Sequence, residues 1–553
     1  MHRECSLRRR LYCRTGVNEL IQYVPPPAFI GLPPKFTEWR KNQADAIYGI
    51  LSSEKQVVMS ICPTGFGKSL MYVAASLLYG GKTVILTSTK ALQAQLLRDF
   101  ADIGMVEVKG KNAYLCPMAD NALSCEEGPC SSGFNCPIKK SGCPYYLAIE
   151  AARMSRLVVT NYSFWFYSNR YSEGIGTPTL LVCDEGHDAP NAVASFLTVK
   201  LERRDEALVS GLPDNPEKIN LEKWKSWAEH RLQKVSVRTE EVEEGIQSGT
   251  NRSDRMFKEL AKLKRLSNKL GDVARMDLKN WVVDVTPFSV EFAPVDVRKD
   301  CQRLLYKHIP HVILTSASVN QKTAQMLGLQ KDNCDVFEYP HTFPLENRMV
   351  IHVRGARINK NASGEDLKEW LKTADKIIAE RLDRKGIFHT TSYGRRDFVM
   401  AHSNYAPYML THSPKDTIPK VMQFKSAKPP IVLVSPAVTM GWDFPANECR
   451  YQILGKVPYP DTRNKITAAR CKNDPEYAPY IAMQQIIQAS GRPVRSETDV
   501  AETFIIDDNI GWFMQQYSRK FAPKWFREAY TTRIFPPRPA DLQTFVGEER
   551  GEE

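Results

Sequence analysis

Short apolar runs without in–out alternation recur along this chain between helical stretches. Val57–Ile61, Thr83–Thr87, Leu157–Thr160, Leu180–Cys183 and Val312–Thr315 are each closed by polar or glycine-containing turns. A second set follows at Gly386–His389, Ile431–Val434 and Thr503–Ile506. Unbroken runs of this kind predict strands buried on both faces of a parallel sheet. Two such sets predict two α/β domains. Across about residues 190–290 the pattern turns charged and helical. There Leu221, Trp224, Ala228, Leu232 and Val235 share one helical face. Met256, Leu260, Leu263, Ser267, Leu270 and Val273 form a second stripe. Gly245–Ser253 between them reads as a loop, so the block is expected to be a helical insertion outside both sheets. No repeat of solenoid length appears.

Composition adds limits to this picture. A chain of 553 residues exceeds one ordinary core. Its hydrophobic share of 42% and charged share of 25% are those of a soluble globular protein. No apolar run is long enough to span a bilayer. The basic start, Met1 to Thr15, lacks the apolar stretch of a secretory signal. Residues 1–28, ending in Pro25-Pro26-Pro27, are expected to be a disordered lead-in. The formal charge of +12 favours a polyanionic partner without requiring one. Thirteen cysteines in a chain with no export signal argue against a disulfide framework. Most are scattered, but Cys116, Cys125, Cys130, Cys136 and Cys143 crowd into one segment.

Two motifs carry chemistry. After Val57–Ile61 comes Cys62-Pro63-Thr64-Gly65-Phe66-Gly67-Lys68-Ser69. A glycine-rich turn entering a helix presents backbone N–H groups and the helix N-terminus to phosphate. Thr64, Gly65 and Gly67 would shape that cradle. Lys68 would reach the β/γ-phosphates of ATP, and the Ser69 hydroxyl would bind Mg²⁺. Cys62 stands where the full P-loop pattern has glycine. The second motif is Leu180-Leu181-Val182-Cys183 running into Asp184-Glu185-Gly186-His187. An acidic pair at the carboxyl end of a buried strand suits a metal and an attacking water. Asp184 would hold the metal and Glu185 would act as general base, with His187 in the same catalytic set. An Asp-Glu N-cap is the bland alternative for that pair taken alone.

From Asp184-Glu185-Gly186-His187 outward, the sequence resembles superfamily-2 helicases, and more narrowly the XPD/DinG group of iron–sulfur DNA helicases. The resemblance runs in order across about residues 36–510. It implies adenine contacts for Arg40 and Gln43 and DNA-backbone contacts for Thr87-Ser88-Thr89. Leu314-Thr315-Ser316-Ala317-Ser318 resembles the linkage between ATP and DNA sites, and Phe343-Pro344-Leu345-Glu346-Asn347-Arg348 the approach to a second motor domain. Gly386 to Tyr393 matches a DNA-contacting strand and loop. Gly441-Trp442-Asp443-Phe444 resembles a Gly-x-Asp turn, with Asp443 assigned to the nucleotide site. Gln485, Gln488, Gly491, Arg492 and Arg495 match the Gln-x-x-Gly-Arg-x-x-Arg signature. Gln488 joins the implied catalytic set, with Arg492 and Arg495 as arginine fingers. Gly186 replaces the family's usual alanine, and Ser318 its threonine.

The cysteine spacing, Cys116-x8-Cys125-x4-Cys130-x5-Cys136-x6-Cys143, suits thiolate binding of zinc or an iron–sulfur cluster and does not choose between them. The flanks, Lys109 to Cys116 and Cys143-Pro144-Tyr145-Tyr146, resemble the borders of the family's cluster domain. That implies a [4Fe–4S] cluster, with zinc as the alternative. Cys116 and Cys143 would be ligands, and Gly128-Pro129 and Gly133 favour Cys130 and Cys136 as the inner pair, with Cys125 spare.

The expected fold is α/β, with two RecA-like parallel-sheet motor domains. The first would span residues 29–320, carrying a cluster insertion at 105–150 and an arch-like helical insertion at 190–290. The second would span 321–553. The implied function is ATP-dependent translocation on single-stranded or forked DNA, 5′ to 3′ by resemblance. The protein is expected to be a monomer with no membrane contact and replication or repair proteins as candidate partners. A cytoplasmic, nucleoid-associated location in a bacterial or phage-infected cell completes the expectation. Two rivals stand beside it: a zinc-containing RNA helicase or remodelling ATPase, and a non-catalytic DNA-binding subunit. The aromatic-basic stretch Tyr517 to Phe526 is expected to pack a terminal helix rather than touch DNA.

Overall fold

The computed structural model describes residues 23–537, apart from 133–134, 140, 172–173, 203–211, 214, 249–252, 360 and 437–441. Most of the expected lead-in therefore lies outside the described residues. The chain begins its first sheet with β1 (Val57–Ile61), β2 (Thr83–Thr87), β3 (Met105–Glu107), β4 (Leu157–Asn161) and β5 (Leu180–Asp184). Next come β6 (Val199–Glu202), β7 (Trp281–Val285) and β8 (Ser289–Pro294), which pair antiparallel in a small sheet of their own. β9 (His311–Ser316) and β10 (Cys334–Glu338) then complete the first sheet. Its order is β10-β1-β9-β5-β2-β4-β3, parallel throughout. Every residue of β1, β2 and β5 is buried, as their mostly apolar composition favours.

The second sheet is built from β11 (Val350–Val353), β12 (Gly386–His389), β13 (Met409–Thr411), β14 (Val432–Ser435), β15 (Tyr451–Leu454), β16 (Glu502–Ile505) and β17 (Tyr530–Arg533). These strands are also all parallel, in the order β13-β14-β12-β15-β16-β11-β17. Two RecA-like layers thus stand as expected. The change of sheet comes later than residue 320, because β10 pairs with β1 and adds an edge to the first sheet. The crossover lies between Glu338 and Val350.

The insertion at 190–290 is more than helical. Helices Leu221–Gln247 and Asp254–Ala274 lie against each other over the β6-β8-β7 sheet, burying Trp224, Val235, Leu263 and Leu270 with Phe292. The first helix continues through Gly245, which had been expected to open a loop. One helical glycine costs about 1 kcal/mol. Burial of Val242 and Ile246 on either side outweighs it. The insertion also reaches the cysteine segment: Lys264 Nζ donates to the Ser131 carbonyl at 2.5 Å, and Arg265 pairs with Glu126 at 2.9 Å. At the far end, helices Asn509–Phe521 and Lys524–Ala529 bury Phe513, Phe521, Trp525 and Phe526, so the terminal aromatics serve packing.

Candidate ATP site and cysteine-rich segment

In the first sheet β1, β9 and β5 are neighbours, so their carboxyl ends deliver the glycine-rich turn, Ser316 and Asp184 to one place. The turn enters helix Lys68–Tyr79 through Gly65 at φ 77° and Gly67 at φ 80°, a region that side chains disfavour. Contact demands glycine there too. A Cβ on Gly65 would lie 2.3 Å from the Phe343 ring, and one on Gly67 would lie 2.4 Å from Gln43 Nε2. Gln43 is fully buried and donates to the Phe66 and Gly67 carbonyls at 2.9 and 3.2 Å. Arg40 Nη1 donates to the Gly65 carbonyl at 3.0 Å. Both residues assigned to adenine thus brace the turn. Cys62 turns inward, buried 3.8 Å from Met71 Sδ, so the departure from glycine leaves the phosphate face clear.

Lys68 Nζ donates to Glu185 Oε1 at 2.8 Å. Glu185 occupies the left-handed region at φ 49°, a strained conformation of the kind held at functional sites. Its other oxygen accepts from Ser316 Oγ at 3.1 Å and lies 3.3 Å from His187 Nδ1. His187 Nδ1 is itself 2.7 Å from Ser316 Oγ. Burial opposes ionisation, yet Lys68 and His187 hold the Glu185 carboxyl well below its usual range. Asp184 behaves oppositely: burial pushes its carboxyl up to about 7, against the pull of Lys68. Its Oδ1 is buried without a hydrogen-bond partner. A bare carboxylate oxygen within electrostatic reach of Lys68 fits a hard divalent cation such as Mg²⁺.

A raised carboxyl value has a thermal consequence in the ligand-free chain. Stability from protonated Asp184 is fully present below the unfolded carboxyl value of about 3.9 and is lost as pH rises through about 7. Asp184→Asn has no charge to bury. Its melting temperature is expected to pull ahead of wild type between about pH 4 and about pH 7, as calorimetry would show. A constant difference across that window would contradict the assignment.

The second domain meets this site through helix Tyr477–Ser490. Tyr480, Gln484 and Gln488 recur every fourth residue and so share a face. Tyr480 donates to the His187 carbonyl at 3.4 Å, and Gln484 to the Ser318 carbonyl at 2.9 Å. Gln488 Nε2 lies 3.4 Å from Glu185 Oε2 and 3.3 Å from Ser318 Oγ. Ser316, Tyr480 and Gln484 were absent from the expected set. The four-residue period counted back from Gln488 was the signal that would have found the last two. Gly491 fits because Thr64 presses against it: a Cβ there would lie 2.4 Å from Thr64 Cγ2.

Asp443 sits with the arginines. It pairs closely with Arg495, and Arg492 Nη1 lies 3.8 Å from its Oδ1 while bonding the Trp442 carbonyl. The negative charge of Glu185 also acts on Arg492, which places this guanidinium within electrostatic reach of the phosphate turn. Thr87-Ser88-Thr89 and Thr390 to Tyr393 stand at the carboxyl ends of β2 and β12. Ser88, Thr89 and Tyr393 are exposed there.

Known proteins share these features. Residues 40–123 match the DEAD/DEAH box helicase family, and residues 378–529 match the helicase C-terminal domain. Each of the two sheets thus carries a helicase-family match. A structure described as an XPD helicase superposes on this chain with a TM-score of 0.63 at 15% identity, covering 90% of this chain and 100% of the other. Xpd4 of S. tokodaii gives 0.57 at 13%, covering 89% and 100%. These likenesses speak to the fold. The "Probable ATP-dependent helicase" of Methanocaldococcus jannaschii is 22% identical, and the match spans 30% of this chain and 30% of that relative. Among the described residues no helix is long and apolar enough to cross a membrane.

Gly186, where the family usually has alanine, packs against β9. A Cβ would stand 3.1 Å from Leu314 Cβ and 3.2 Å from Leu314 Cα. The glycine therefore tightens the approach of the two strand ends rather than loosening the turn.

The cysteine segment divides into an inner trio and an outer pair. Cys116, Cys125 and Cys143 are buried together, and Cys125 Sγ lies 3.9 Å from Cys143 Sγ. Cys130 and Cys136 are half-buried. Burial raises the Cys130 thiol, Lys111 opposes the rise, and Cys136, Cys116 and Cys143 add to it, so all of these thiols sense one another. Gly128 permits this crowding, since a Cβ there would lie 2.7 Å from Cys116 Sγ. Cys125, selected as the spare, belongs to the inner trio, and Gly133 lies outside the described residues. Soft thiolate donors fit iron–sulfur or zinc chemistry. Among the described residues, however, no three His, Cys, Asp or Glu side chains form a preformed metal-holding group.

Proposed function

We propose that the protein is an ATP-driven DNA helicase that moves 5′ to 3′ on single-stranded DNA. It would carry a structural [4Fe–4S] cluster on Cys116, Cys130, Cys136 and Cys143. The observation that carries the motor reading is the double hold on Glu185, by Lys68 of one domain and Gln488 of the other. A base contacted from both sides of the cleft is sensitive to how the cleft closes. In this scheme Lys68 and the glycine-rich turn bind the ATP phosphates, while Asp184 and Ser69 hold Mg²⁺, which neutralises phosphate charge. Glu185, released from Lys68 by the incoming phosphates, orients the attacking water. Arg492 and Arg495 leave Asp443 and Trp442 to meet the γ-phosphate across the cleft.

Each cycle of closure and release would shift a strand lying over the carboxyl edges of both sheets, past Ser88, Thr89 and Tyr393. Backbone contacts and stacking would dominate there, so sequence preference is weak. The insertion at 105–150 serves as the cluster domain and that at 190–290 as an arch, with their contact through Lys264 and Arg265 closing a passage for the strand. A monomer working in the cytoplasm beside the nucleoid, with replication or repair proteins as partners, fits this scheme. The test is strand displacement on matched DNA and RNA duplexes by anaerobically purified protein. DNA unwinding with about four irons per chain and visible absorbance is expected. RNA-only unwinding would refute the DNA assignment, and zinc without iron would refute the cluster.

A further inference from the structure

A second charged cavity opens at the amino-terminal ends of β14, β12 and β15, on the edge of the second sheet away from the DNA-facing loops. Its volume is ≈730 Å³, and five cations line it. These are Arg384, Lys385, Lys425, Lys428 and Arg450. Only Asp383 and Glu448 oppose them, leaving a surplus of three positive charges. Arg384 and Lys385 are buried, at 7% and 5% exposure. Burial lowers the Lys385 and Arg450 pKa values, and like charge adds to it: Lys425 acts on Lys385, and Arg384 on Arg450.

Asp383 holds Arg384 at 2.9 and 2.7 Å and Glu448 holds Lys425, whereas neutral acceptors hold Lys385 and Arg450. Lys385 Nζ donates to the Lys425 carbonyl at 2.8 Å, and Arg450 donates to Asn447 Oδ1 at 3.0 and 2.8 Å. Carbonyl and amide oxygens satisfy the donors without cancelling the charge. Crowding like charges in a concave, partly dry site disfavours the fold unless an anion offsets it.

We propose that this cavity binds the di- or triphosphate group of a small molecule. Its volume is that of a small-ligand site. Guanidinium groups present planar forks to phosphate oxygens, and ammonium groups add point charges. The surplus of three charges suits a polyphosphate better than a single carboxylate. The cavity also has a line to the arginines. Lys425 Nζ donates to the Asp443 carbonyl at 2.6 Å and to Glu448 Oε2 at 2.7 Å, and Asp443 in turn pairs with Arg495. An anion drawing Lys425 inward frees the Asp443 carbonyl and loosens the hold on Arg495. That regulatory consequence rests on the proposed ATPase; the binding does not.

The test titrates inorganic tripolyphosphate into the full chain carrying Lys68→Ala, by calorimetry at about 0.15 M salt, where loose surface attraction is screened. Stoichiometric binding is expected, weakened about tenfold by adding either Lys428→Glu or Arg450→Gln. Lys428 is exposed, so its variant keeps the test valid if the Arg450 variant unfolds. Competition by ADP would mark a nucleotide as the source of the phosphate group, and displacement by pyrophosphate alone would mark a free polyphosphate. No binding to the Lys68→Ala chain, or an affinity that neither cavity variant changes, would overturn the proposal. So would displacement by unphosphorylated single-stranded DNA, which would make the cavity part of a nucleic-acid track.

Discussion

Glu185→Gln is expected to lower DNA-stimulated ATP turnover by about 10²–10⁴-fold, the usual contribution of a positioned general base. Nucleotide binding should survive, because Lys68 and the glycine-rich turn remain. The reason lies in the surroundings of the carboxylate. Lys68, Ser316 and His187 all contact it, and Gln488 approaches from the other domain. These contacts keep it ionised at physiological pH, and its basicity rises when Lys68 turns from it to the phosphates. The amide keeps the shape and some hydrogen bonds but cannot take the proton. Steady-state ATPase assays alongside fluorescent-nucleotide binding separate the two effects. Parallel loss of binding and turnover would instead give Glu185 a structural role through Lys68.

Arg492→Ala is expected to cut kcat by about 10³-fold or more, the range of an arginine supplied across a nucleotide cleft. KM for ATP should change only a few-fold, since the guanidinium is engaged with the Trp442 carbonyl before ATP arrives. Its service would come in the transition state, which lowers kcat and leaves ground-state binding alone. Asp443→Asn provides the control. It weakens the resting partner of Arg495 and leaves both guanidinium groups in place, so kcat should move less than about tenfold. Equal losses in the two variants would show that Asp443 itself, rather than the arginines, is required at the nucleotide.

Much of the motor was legible in the chain. Uniformly apolar runs such as Val57–Ile61 and Leu180–Cys183 left no doubt about doubly covered strands, and their carboxyl ends carried Lys68 and Asp184. Other strands were hidden for physical reasons. Met105–Glu107 and Met409–Thr411 are three residues each, too short to show a period. Trp281–Val285 contains an aspartate within an apolar run and lies beside two long charged helices whose signal dominates the region. The boundary at 320 fell short because Cys334–Glu338 is an edge strand with no buried residue and with Asp335 and Glu338 in its five positions, and so did not read as part of a buried sheet. At the site, Gln43 and Asp443 could be placed by resemblance, but their partners could not. That Gln43 braces the glycine-rich turn, and that Asp443 holds Arg495, depends on contacts between segments distant in the chain. The five cysteines were visible as a cluster, yet sequence did not reveal that Cys125 joins Cys116 and Cys143 in the buried trio.

The most direct measurement is displacement of a labelled strand from a forked DNA duplex with ATP, comparing a 5′ loading tail with a 3′ tail. The account predicts ATP-dependent displacement from the 5′-tailed fork, abolished by Glu185→Gln and by Arg492→Ala. Hydrolysis of ATP without displacement from either fork, or displacement that persists in both variants, would contradict it.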